Sequence, residues 1–166
     1  MAKDKKAKPK DAAGDGRRVI AENRKARHKF EVLDTLECGI MLVGSEVKSL
    51  REGKLSLDES YGRVRDGEVW LIGCDIAEYA QASHYNHEPK RPRKLLVHRR
   101  ELRKFAGLAH EKGLTLVPLT LYFNERGKAK LLLGLCRGRK LHDKREKLKQ
   151  QTDKREMRDA MAKRRA

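Results

Sequence analysis

Two kinds of side chain in this sequence could do chemistry: cations spaced to meet phosphate, and histidines able to move protons. The run Gly44-Ser45-Glu46-Val47-Lys48-Ser49-Leu50-Arg51-Glu52-Gly53-Lys54 carries an acid near one end and bases farther along. Asn23-Arg24-Lys25-Ala26-Arg27-His28 precedes it, and Lys90, Arg91, Arg93 and Lys94 form a third basic group. A fourth follows Cys136 and includes Arg139, Lys140, His142, Asp143, Lys144 and Arg145. Arg and Lys neutralise phosphate, and imidazoles such as His28 and His142 could in principle serve as acid or base in phosphodiester cleavage.

The cleavage reading finds little support. His84-x-x-His87 is the only close histidine pair, it sits in a Pro-flanked loop, and no cysteine or carboxylate cluster completes a metal-ligand set. The phosphate-cradling G-x-x-x-x-G-K-[ST] and G-x-G-x-x-G patterns and the hydrolase G-x-S-x-G pattern do not occur. The expectation is a binding protein without cofactor, metal or catalytic residues.

Charge identifies the partner class. Lys and Arg number 41 against 24 Asp and Glu among 166 residues, a net charge of +17. Met1 to Lys29 holds 11 bases and 4 acids, Phe30 to Cys136 holds 17 and 15, and Arg137 to Ala166 holds 13 and 5. The excess therefore sits at the two ends, which points to a polyanion, with nucleic acid as the leading candidate. Cys38, Cys74 and Cys136 are odd in number, lack C-x-x-C spacing and lie in apolar stretches, so reduced thiols in a cytoplasmic protein are expected. No apolar run suits a secretory leader or a membrane span.

The elements that must position these groups follow from hydrophobic spacing. Residues 1–18 are too polar to fold and read as a disordered basic extension. Ile20 to His28 suits a short helix; Phe30, Val32 and Leu36 alternate with polar residues as in a strand; Gly39 to Val43 suits a second strand joined by a turn. Ser45 reads as the N-cap of a helix that Gly53 ends. Asp66-Gly67 predicts a two-residue hairpin turn between Ser60–Arg65 and Val69–Ile72. Tyr79 to Arg93 reads as a loop, and Leu102, Phe105, Ala106 and Ala109 as a helix with Gly113 as its left-handed cap. Strands are expected from Leu114 to Phe123, with a bulge or edge at Pro118, and from Lys128 to Leu135. So many short strands favour closure into a mainly β, antiparallel OB-like barrel with two or three helices. Domain limits are then 19–136 for the barrel and 137–166 for a basic tail that folds on a partner.

The Gly44–Lys54 run, the Asn23–His28 run, Asp58-Glu59-Ser60-Tyr61, Arg93-Lys94-Leu95-Leu96 and Gly138-Arg139-Lys140-Leu141-His142-Asp143-Lys144-Arg145-Glu146 occur in unbroken order from Ile20 to Glu146. In these motifs the chain resembles the SsrA-binding protein family, also called small protein B. The resemblance implies a six-stranded OB-like barrel that binds the tRNA-like domain of transfer-messenger RNA and delivers it to stalled bacterial ribosomes for trans-translation. It implies that Glu46, Lys48, Arg51, Tyr61, Lys94, Leu96 and His98 lie on or support the surface facing that RNA. Asn23, Arg24, Arg27 and His28 belong to a second motif that faces either RNA, and Arg139 and Lys140 extend the basic set. Position 139 is Arg where the family often has Lys, which keeps the charge and alters the hydrogen-bond geometry. His142, Asp143, Lys144 and Arg145 would enter the ribosomal decoding centre, with the tail in the empty mRNA channel. Two alternatives stay open: His98 stands three residues before Glu101 and could simply cap a helix, and Leu96 could belong to the core. A monomer that binds RNA and ribosome and no membrane is the resulting expectation; a permanent ribosomal protein is the rival that charge alone does not separate.

Overall fold

In a computed structural model the chain is described for residues 16–82 and 84–139, together with Thr152 and Met157. The expected disordered extension before Gly16 and the tail residues Lys140, His142, Asp143, Lys144 and Arg145 lie outside the described residues. Nine strands and three helices follow one another among the described residues: β1 (Arg18–Glu22), α1 (Arg24–Lys29), β2 (Phe30–Ile40), α2 (Gly44–Arg51), β3 (Leu55–Ser56), β4 (Tyr61–Arg65), β5 (Glu68–Ile72), β6 (Asp75–Ile76), β7 (Arg93–Leu96), α3 (Arg99–Lys112), β8 (Thr115–Phe123) and β9 (Ala129–Gly138). The protein is mainly β, as its strand-rich spacing predicts.

Six antiparallel strands form a ring in the order β8-β4-β5-β7-β2-β9, closed where β9 pairs with β8. Strand β1 adds to β8 outside the ring, and β3 pairs with β6 as a separate ribbon. Leu36, Cys38, Val69, Leu71, Leu95, Leu116, Leu121, Leu131, Leu133 and Leu135 fill the ring, with Leu50 of α2 and Phe105 of α3 packed into the same cluster. The hairpin turn is the expected one: Asp66 and Gly67 both take positive φ, at 53° and 71°. Helix α3 ends on Gly113 at φ 56°, in the left-handed region that a residue with a side chain adopts only with strain.

Closure depends on bulges that a period-two reading does not register. Phe30 and Val32 share sequence parity with Leu36, Cys38 and Ile40, yet they pack on the other side of β2, against a second cluster of Ala26, Val117, Leu119 and Cys136. The reversal is produced by a register shift between Val32 and Asp34, since one extra residue turns every later side chain to the opposite face. Strand β8 shifts between Pro118 and Thr120, so Leu119 faces α1 while Leu121 faces the ring. The bulge expected at Pro118 is therefore present.

Several local expectations are corrected. Ile20 to His28 is not one helix: β1 occupies its first part because Glu22 and its neighbours pair with β8, and α1 starts only after Asn23. Gly39 to Val43 is not a separate strand, because β2 runs unbroken to Ile40, where Gly39 and Ile40 still pair with β7. Ser45 is not the N-cap. Val43 holds that position in an extended conformation, and Glu46 accepts a hydrogen bond from its N–H at 2.9 Å. The last strand runs past Leu135 to Gly138, because Phe30 and Glu31 supply pairing partners for Gly138 and Arg137.

The ring joins β4 to β8 at Gly62 opposite Leu116, and a Cβ on Gly62 would lie 2.8 Å from the Leu116 Cβ. Because that neighbour is fixed to the backbone, the strands must move apart to admit a side chain. Gly62→Val should therefore lower the unfolding free energy by about 1–3 kcal/mol, read as a lower urea midpoint with an unchanged slope.

Candidate nucleic-acid interface

Helix α2 is held down by an ion cluster. The Glu46 side chain is 0% exposed; its Oε1 accepts from Arg91 Nε and from Arg93 Nε, both at 2.8 Å, and its Oε2 accepts from Arg91 Nη2 at 2.6 Å. Arg93, equally buried, donates onward to the carbonyls of Cys74, Pro89 and Arg91 at 2.6, 2.9 and 3.1 Å. Burial by itself would raise the Glu46 carboxyl, but the hydrogen bonds from Arg91 and the Val43 N–H, with the charge and hydrogen bond of Arg93, hold it below the ordinary carboxylate value. Two guanidiniums against one carboxylate leave the cluster positive.

The cluster turns the other faces of α2 outward. Lys48 and Arg51, three residues apart on one helix, are exposed. The Lys48 Nζ stands 5.4 Å from the centre of the Tyr79 ring. Lys48, Tyr79, Tyr85 and Arg91 line a groove of about 600 Å³. A neighbouring groove of about 590 Å³ brings together Leu96 and His98 with Val47, Glu37, Lys128 and Lys130. Leu96 is 50% exposed, which removes it from the core, and it packs across Gly39. Lys94 of β7 pairs with Glu68. His98 does occupy the N-cap position of α3, but its side chain makes no capping bond and is exposed.

The remaining sites lie elsewhere. Tyr61 is partly exposed on β4. Asn23 is buried: its Oδ1 accepts from the Ala26 N–H at 3.0 Å, its Nδ2 donates to the Leu57 carbonyl at 3.0 Å, and its own N–H donates to the Leu119 carbonyl at 2.8 Å. It fixes α1 to the ring and leaves Arg24, Arg27 and His28 exposed. Arg24 and Arg27 both approach Glu22, at 4.0 and 3.4 Å. Arg139 begins the tail beside the end of this helix, its N–H donating to the Lys29 carbonyl at 3.1 Å.

Sequence spacing alone does not find Glu37, Arg91, Arg93 or His87 in these roles. Glu37 is signalled only as an acid on the solvent side of β2, yet it gathers Lys130 at 3.7 Å, Arg17 at 4.0 Å and the Tyr122 hydroxyl. Both ring nitrogens of His87 are engaged, Nδ1 with the Ser45 hydroxyl and Nε2 with the Ile76 carbonyl, each at 3.0 Å. Nε2 must donate to that carbonyl, so His87 serves the loop as a structural link. Burial pushes the Cys38 thiol up to about 12 and those of Cys74 and Cys136 up to about 11, which keeps all three protonated. No group of three or more metal-ligating side chains occurs among the described residues, and no helix among them is long and apolar enough to cross a membrane.

A carboxyl held below its unfolded value adds stability that is present at neutral pH. That contribution is lost as pH falls from the unfolded value through the folded one. Urea midpoints of the wild type should therefore fall as the medium becomes more acidic than the ordinary carboxylate value. Glu46→Gln should lower stability at pH 7 by about 3 kcal/mol and flatten this acid dependence; an equally steep profile in the variant would place the titration elsewhere.

The family described as SmpB protein matches residues 20–163. The SsrA-binding proteins of Rhodopirellula baltica and Nitrobacter winogradskyi are 61% and 58% identical to the chain over 142 and 129 residues, covering 86% and 78% of it and 81% and 82% of their own lengths. A solved chain described as "tmRNA-SmpB: a journey to the center of the bacterial ribosome" is 55% identical, with a TM-score of 0.63, covering 74% of this chain and 85% of its own length. Since the match takes in the strands of the ring, α1, α2 and most of the basic segment that follows β9, the chain belongs to the SmpB protein family.

Proposed function

We propose that this protein binds the tRNA-like domain of transfer-messenger RNA and brings it to stalled bacterial ribosomes for trans-translation, acting in the cytoplasm by binding and not by catalysis. The observation that carries this reading is the family match over residues 20–163, in which the relatives are SsrA-binding proteins and one is a tmRNA–SmpB structure of the ribosome. The folded body, 19–136 with the short extension of β9, grips the RNA. Lys48, Arg51, Lys94 and His98 face it with their cations and imidazole, Leu96 and Tyr61 offer apolar and stacking surface, and Glu46 acts from beneath by holding α2 in place.

On this reading Asn23 positions α1, and Arg24, Arg27 and His28 present its outer face to RNA. Arg139 and Lys140 start the basic tail of 137–166, which contributes His142, Asp143, Lys144 and Arg145 at the decoding centre and reaches into the empty mRNA channel. Cations in water beside phosphate gain little from any single pair and much from the counterions they release together. Affinity should therefore fall steeply with salt.

Two measurements test the division of labour. RNA recovered with the full-length protein under mild conditions should be dominated by transfer-messenger RNA; enrichment of ordinary tRNA or ribosomal RNA on unstalled ribosomes would favour a permanent ribosomal component instead. Because β9 continues to Gly138, the tail is best removed as 140–166. That deletion should leave affinity for the tRNA-like domain near the wild-type level and abolish tagging of incomplete proteins, whereas loss of RNA affinity would overturn the assignment.

A further inference from the structure

We infer that the groove between α2 and the loop before β7 is a binding site for a single unpaired nucleotide, its base stacked on Tyr85 and its phosphate facing Lys48 and Arg91. This deepens the proposed function and rests on it, since the nucleotide would belong to the same RNA. Tyr85 is 93% exposed, more than any other large apolar side chain among the described residues, and makes no hydrogen bond among them. A ring left so fully in water gives up burial that the fold could have used, and it gains that burial only when something covers it.

The backbone beneath the ring is anchored. The Asn86 side chain accepts from the Tyr79 N–H at 3.0 Å and donates to the Tyr79 carbonyl at 2.9 Å, and the next residue, His87, is tied to Ser45 and Ile76. The ring thus stands next to loop residues held by four hydrogen bonds, which lessens the entropy lost when a base stacks on it. Beside it the cation is placed as well: Lys48 lies over the Tyr79 ring, whose hydroxyl donates to Gln81 Oε1 at 2.8 Å. Lys48 has no carboxylate partner among the described residues, and Arg91, at 29% side-chain exposure, brings the surplus charge of the Glu46 cluster to the groove wall.

The chemistry selects nucleic acid. Two tyrosine rings bordered by cations, one of them already covered by Lys48, are a poor seat for a protein, which wants a contiguous apolar patch. An aromatic face next to phosphate-binding cations is the arrangement that holds unpaired bases without reading their identity. The groove volume of about 600 Å³ lies within the range of small-ligand sites.

Equilibrium binding of the full-length protein to the tRNA-like domain, to a short oligouridine and to a blunt RNA duplex, each at several salt concentrations, tests the site. Tyr85→Ala should weaken binding to the tRNA-like domain and to oligouridine by about tenfold, the scale of one base–aromatic stack. The slope of log affinity against log salt should not change, because no charge is removed. Duplex binding should be unaffected, and Tyr85→Phe should restore wild-type affinity. Lys48→Ala should instead reduce the salt slope by about one. An unchanged urea midpoint for Tyr85→Ala excludes misfolding as the cause. If Tyr85→Ala binds the tRNA-like domain and oligouridine as the wild type does, the inference is wrong, whether or not the variant also loses ribosome association. If the wild type shows no preference for the tRNA-like domain while Tyr85→Ala still loses oligouridine, the groove stands and the proposed function falls.

Discussion

The buried carboxylate of Glu46 is the constraint on which the candidate interface depends. Removing Glu46 and Arg93 from water, and much of Arg91, is costly, and the cost is offset only if hydrogen bonds are nearly complete. Here the geometry is close to saturated: Glu46 accepts from two guanidiniums and a backbone N–H, and Arg93 spends its remaining donors on three carbonyls. Such a cluster tolerates very few arrangements of its parts. It therefore fixes α2, the residues leading into β7 and the end of β5 beside Cys74 relative to one another, which a greasy contact of the same area would do less strictly.

That rigidity matters because the cations displayed on α2 are themselves weakly held. Lys48 and Arg51 have no carboxylate partners among the described residues, whereas Lys94 is held in a half-buried pair with Glu68. Free cations on a firm base can meet phosphate without first breaking pairs of their own. Arg24 and Arg27 differ, since each stands near Glu22. Exposed pairs of this kind contribute little and are readily exchanged, so phosphate can displace Glu22 from these arginines at small cost.

Much of the ring was legible from local chemistry. Asp66-Gly67 tolerates the positive φ of a tight hairpin, Gly113 ends α3 in the left-handed region, and Pro118 marks a bulge because it cannot donate to a ladder. The bulge in β2 carries no such sign. Leu33 is an ordinary residue, and its displacement arises from pairing with β9, a partner about a hundred residues away. The same holds for the interface: exposed bases and the α2 run are visible as composition, whereas the use of Arg91 and Arg93 requires knowing that β7 passes under α2. Ser45 looked like a cap because its type suits that role, but its hydroxyl is taken by His87 from a loop 42 residues on. The family resemblance named Glu46 without distinguishing contact from support, and only its burial does so.

Asn23 shows how closely support and contact can adjoin. Its side chain uses both ends, accepting from Ala26 and donating to Leu57, while its backbone reaches Leu119 on β8. A six-residue helix is too short to persist in water by its own hydrogen bonds, so α1 exists because this cap and the apolar cluster under Ala26 hold it. Arg139, the residue after β9, is bonded to Lys29 at the far end of that helix, where Gly138 still pairs with Phe30, so the helix end and the β2–β9 ladder meet at one point. The exposed basic face of α1 therefore rests on two supports, the Asn23 cap at one end and the last pairs of the β2–β9 ladder at the other.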